Sequence, residues 1–108
     1  MKKAIVLSAV LASAPSLAED TRTRLQICTL VGETAEQMMR KRQDNAPPWE
    51  LQQMAIDIGE LDNAVGFKVY SLVESAYDVP VASGANNKYL AAYDFRDKAF
   101  FRCLKGNI

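Results

Sequence analysis

The sequence predicts an all-α fold, a small bundle of about four helices with one disulfide joining the first helix to the last. Three observations lead there. Apolar residues recur at spacings of three and four along extended stretches, as one face of a helix requires. Prolines, glycines and a small polar run divide those stretches. The two cysteines of the 108-residue chain, Cys28 and Cys103, stand on apolar faces near its two ends.

The first 18 residues read as a signal peptide: Lys2 and Lys3 give a basic start, residues 4–12 an apolar run, and Ser16, Leu17 and Ala18 a small-residue cleavage site. The apolar run is about half of what a bilayer span needs, and no later stretch approaches that length, so no integral membrane span is expected in the mature chain. Residues 19–108 then form one helical domain. The full chain balances 13 basic against 13 acidic side chains, and loss of Lys2 and Lys3 leaves a slight acidic excess, which gives no electrostatic draw towards nucleic acid. Export, to the periplasm or beyond, delivers the chain to an oxidising compartment, where two cysteines normally pair. A reactive thiol and an intermolecular bridge are the alternatives.

The first helix is expected over residues 21–44, with acids at Glu19 and Asp20 before it and Leu25, Cys28, Val31, Ala35, Met38 and Arg42 along one face. Gly32 and Ala35 keep that face thin enough for a second helix to approach. Pro47 and Pro48 end it and can open the next, over residues 49–58, with Leu51, Met54, Ala55 and Ile58 inward, Gly59 as a stop and Trp49 clamping the turn. Residues 61–77 form a third pattern, with Leu61, Val65, Val69, Leu72 and Ala76 on a face widened by Phe67 and Tyr70. Residues 81–87 form the longest loop. A last helix over residues 88–105, capped by Asn86 or Asn87, would carry Tyr89, Tyr93, Arg96, Phe100 and Cys103 on one face and stop at Gly106.

The chain contains no histidine. That removes the nucleophile–histidine pairs of hydrolases and every histidine-ligated zinc site. With no CxxC pair and no glycine-rich loop, neither a dithiol redox centre nor a phosphate cradle is expected. No catalytic residue, metal site or cofactor is assigned. Asp57, Glu60 and Asp62, clustered near one turn, with Asp94 and Asp97 on the last helix, are the candidate material for two-carboxylate chemistry, the basis of an alternative reading as a small cell-wall hydrolase. Arg40, Lys41 and Arg42 suit a helix C-terminus, and Arg42, continuing the inward face, is expected to pair with Asp94 or Asp97. Nine aromatic side chains are more than so small an interior hides with ease. Trp49 and Tyr77, beside prolines that fix the backbone, are the candidate partner-binding residues together with Arg42; Phe95 and Phe101 are further candidates for exposure.

Cys28, Ala35, Met38, the Arg42–Gln43 pair, Ala76 and Tyr77 with Pro80, and the phenylalanine-rich helix ending at Cys103 together resemble small secreted two-cysteine helical proteins of bacteria and their phages. Where a glycine is expected soon after the Arg–Gln pair, this chain has Asp44 and Asn45. The resemblance implies the fold and the compartment, and carries no activity. The function expected is non-enzymatic: binding to an envelope macromolecule, a protein foremost, or inhibition of an envelope component by a phage-derived protein.

Overall fold

The structure, a computed structural model, describes residues 22–108, so the expected signal peptide and the first expected capping residues lie outside it. Among the described residues are five helices: α1 (Arg24–Gln43), α2 (Pro48–Leu61), α3 (Asn63–Tyr70), α4 (Val73–Tyr77) and α5 (Ala85–Leu104). They form an all-helical domain in which α1 is the central element. The antiparallel α5 packs along one flank of α1, and α2, α3 and α4 pack on the other.

Helix α1 opens at Thr23 through a reciprocal capping box. The Gln26 N–H donates to Thr23 Oγ1 at 3.1 Å, and the Thr23 N–H donates to Gln26 Oε1 at 2.8 Å. It closes with Arg40, Lys41 and Arg42 against the dipole. There Asn45 adopts φ 66°, its N–H donates to Arg42 O, and the Ala46 N–H reaches back to Lys41 O. This is a Schellman closure, and asparagine is the side chain that best tolerates the left-handed position when glycine is absent. Gly106 closes α5 in the same way at φ 80°, as expected, with Gly106 N–H on Cys103 O and Asn107 N–H on Arg102 O.

Gly59 does not stop α2. The helix runs through it to Leu61, because Gly59 faces Gly66 of α3: a Cβ added at Gly66 would lie 2.2 Å from Gly59 Cα. The two glycines are therefore a contact between backbones. Asp62 ends α2 in an extended conformation and caps α3 by accepting from the Val65 N–H. Its carboxylate also takes both terminal nitrogens of Arg22, at 2.7 and 2.9 Å, which ties the start of α1 to the tip of the α2–α3 hairpin.

The single helix expected over residues 61–77 is two. The turn tightens where the Leu72 N–H donates to Val69 O and Ser71 Oγ donates to Lys68 O, and the redirected chain buries Leu72, Val73 and Ala76. Leu61 and Phe67, expected inward, are 91% and 80% exposed, since Leu61 sits at the hairpin tip and Phe67 opposite the Val65–Val69 stripe.

Helix α5 begins three residues earlier than expected, after Gly84, with no side-chain cap. Its buried stripe is Ala92, Phe95, Ala99 and Cys103; of the expected face, Cys103 is buried and Phe100 packs partly against the core, whereas Tyr89 and Tyr93 are exposed. The thin surface of α1 lets α5 approach closely: at Gly32 an added Cβ would stand 3.3 Å from Phe100 Cβ and 3.4 Å from Arg96 O. Leu25, for its part, is exposed. Cys28 and Cys103 are buried and bonded across the seam between α1 and α5, with Cα atoms 5.5 Å apart.

Candidate functional site around the proline turn

The sequence brings Arg42, Trp49 and Tyr77 together in expectation, and the structure places all three at the end of the bundle formed by the α1–α2 turn, α4 and the segment that follows it. Gln43 organises this end. It is the one buried polar side chain among the described residues, its Nε2 donates to Pro80 O at 3.0 Å, and its Oε1 accepts from the Ala82 N–H at 2.7 Å. Both amide functions are thus spent on the backbone of residues 80–82, a role that satisfies the buried group and fixes the segment.

Arg42 does not meet Asp94 or Asp97. Lying at the α1 terminus on the α4 side, it donates from Nε to Val79 O at 3.1 Å and stacks its guanidinium 4.8 Å from the Tyr77 ring centre. Asp94 pairs with Lys98 at 2.9 Å and Asp97 with Arg96 at 3.0 Å. Tyr77 is half-buried, and its hydroxyl donates to Ala46 O just before the two prolines. Burial pushes its pKa above the ordinary value, with the charge of Arg42 opposing and Glu50 assisting, so the hydroxyl keeps its proton and remains a donor. Arg42 and Tyr77 are therefore stays that hold the site.

Trp49 is the exposed member. It stands 67% exposed on the first turn of α2 and does not clamp α1 as expected. Beside it runs a groove of about 480 Å³ between α2 and the α3–α4 corner, lined by Pro48, Gln52, Tyr70, Ser71, Val73, Glu74 and Tyr77. Gln52 and Glu74 carry no signal in the sequence, and Tyr70, expected on the face of a continuous helix, instead ends α3 and lines the groove with Gln52.

The aromatic stripe of α5 is neither core nor free platform. Arg40 stacks over Tyr89 at 4.6 Å and over Tyr93 at 5.6 Å, Arg96 lies 4.9 Å from the Tyr93 ring centre, and Glu36 binds both guanidiniums, at 2.6 and 3.4 Å. Both arginine pKa values are raised: for Arg40 chiefly by its hydrogen bond to Glu36, for Arg96 chiefly by that to Asp97. The cluster laces α1 to α5. Phe95 is buried, contrary to the expectation of exposure, whereas Phe101 is exposed.

Asp57 and Glu60 lie exposed on the same helix, with Asp57 accepting from Gln53 Nε2 at 2.9 Å, so they do not face each other across a cleft. Among the described residues no three histidine, cysteine or carboxylate groups gather in a metal-binding cluster, and no helix is long and apolar enough to cross a membrane. Fold and site define a disulfide-stapled helical domain with an exposed tryptophan on a braced turn. Compared with known proteins, the chain matches no protein family, no curated protein and no solved structure.

Proposed function

We propose that the chain is an exported, non-enzymatic binding protein of the bacterial envelope that docks a partner macromolecule, a protein foremost, on the surface around Trp49. The observation that carries this reading is a large aromatic side chain left 67% exposed on a turn whose backbone is braced by Pro47, Pro48 and the Tyr77 hydroxyl on Ala46 O. Tryptophan anchors contribute disproportionately to protein interfaces, and a turn already rigid loses little entropy on binding. The buried disulfide accords with an oxidising compartment.

The test immobilises residues 19–108 and measures retention of a partner from periplasmic extract. Trp49→Ala is expected to weaken retention at least about tenfold, about 1.4 kcal/mol or more, with helix content by circular dichroism unchanged. Retention indifferent to Trp49→Ala would contradict the proposed surface. Degradation of peptidoglycan that disappears in Asp57→Asn or Glu60→Gln would replace the binding reading with an enzymatic one.

A further inference from the structure

The groove beside Trp49 has a chemistry that narrows what it can receive. Glu74 is the one charged side chain that lines it, no cation lines it, and Glu74 makes no ion pair with any described residue. An occupant that covers that carboxylate gains most by supplying positive charge, because a counter-charge offsets the cost of taking an anion out of water. Gln52 and the Tyr70 hydroxyl are likewise without a partner among the described residues. A side-chain amide both donates and accepts, which matches the exposed N–H and C=O groups of an extended backbone. The remaining surface is apolar and stiff: Pro48, Val73 and the rings of Tyr70 and Tyr77, the last fixed by Ala46 O and Arg42. Aromatic rings beside proline make the kind of wall on which polyproline-type segments lie. About 480 Å³ is room for a few residues of extended chain.

We propose that this groove receives a short extended peptide segment bearing an arginine or lysine, with Glu74 taking the cation, Gln52 the peptide backbone, and Tyr70 and Tyr77 the apolar flanks. The inference rests on the binding reading above and names the chemistry of the partner. Acidic polymers are disfavoured by Glu74, and a neutral glycan would offer its carboxylate hydroxyl donors but no counter-charge.

The test titrates isotope-labelled residues 19–108 with three probes: a pool of seven-residue peptides with central arginine and proline or leucine elsewhere, the matched pool with central glutamate, and chitotetraose. The arginine pool is expected to shift the resonances of Gln52, Tyr70 and Glu74 saturably, and the glutamate pool to bind about tenfold or more weakly. Glu74→Lys should reverse that preference, while Glu74→Gln should abolish it; melting curves of both exposed-site variants guard against a folding artefact. Equal response to both peptide pools, response to the glycan alone, no response to any probe, or an arginine preference that survives Glu74→Lys would overturn the inference. If in addition Trp49→Ala still weakens partner retention, the groove assignment alone has failed; if it does not, the binding reading has failed with it.

Discussion

Reducing the Cys28–Cys103 bond, or replacing both residues with serine, is expected to destabilise the domain by about 4 kcal/mol, because the bond closes a loop across a separation of 75 residues and removes that closure entropy from the unfolded chain. For a domain near ninety residues this is a large share of a total stability of about 5–13 kcal/mol. At about 4–8 °C per kcal/mol it lowers the melting temperature by roughly 15–30 °C. The loss has a local reason to be felt. Cys28 and Cys103 sit near the start of α1 and the end of α5, and the buried faces of those helices include several small residues, Ala35, Ala92 and Ala99 with Gly32, which bury little apolar area. Thermal unfolding of residues 19–108 with and without reductant measures the effect, and coincident transitions would show that packing alone suffices.

The second large effect is an asymmetry between two adjacent glycines. Gly66→Ala places a methyl 2.2 Å from Gly59 Cα, 2.4 Å from Gly59 N and 3.2 Å from Ala55 O, all backbone atoms that cannot swing aside. The α2–α3 pair must separate, at a cost of about 3 kcal/mol or more, which outweighs the gain of about 1 kcal/mol that alanine brings to a helix interior. At Gly59 the nearest atom to an added Cβ is Gly66 Cα at 3.8 Å, an ordinary contact, so Gly59→Ala should be neutral or stabilising by up to about 1 kcal/mol. Chemical denaturation of the two variants checks the sign of each. Equal effects would mean that the helices do not cross at this pair.

What the sequence discloses and what it hides divide along physical lines. Helical periods, the proline break at residues 47–48, the Gly106 cap and the pairing of the cysteines depend on local chemistry or on counting, and the structure contains them all. Which of the α5 aromatics turns inward could not be read, since Tyr93 and Phe95 both fit a helical period and only the packing of α5 against α1 buries Phe95 and leaves Tyr93 exposed. Gly59 looked like a stop because a glycine near the end of an apolar period serves equally as a cap or as a close contact, and only its partner Gly66 decides. The candidate site was half legible. Trp49, Tyr77 and Arg42 are drawn to one end by their nearness to the prolines, but their division of labour, one exposed and two bracing, is set by Gln43 and the backbone of residues 79–82. The groove was invisible because it exists only through the break between α3 and α4.

The claim that function lies on the surface around Trp49 is tested most directly by a photo-cross-linking amino acid, benzoylphenylalanine, placed at position 49 and, separately, at position 98 on the exposed side of α5, with the full-length chain expressed in its native host. The account predicts one discrete protein adduct from position 49 and none from position 98. An adduct from position 98 with none from position 49 would contradict it.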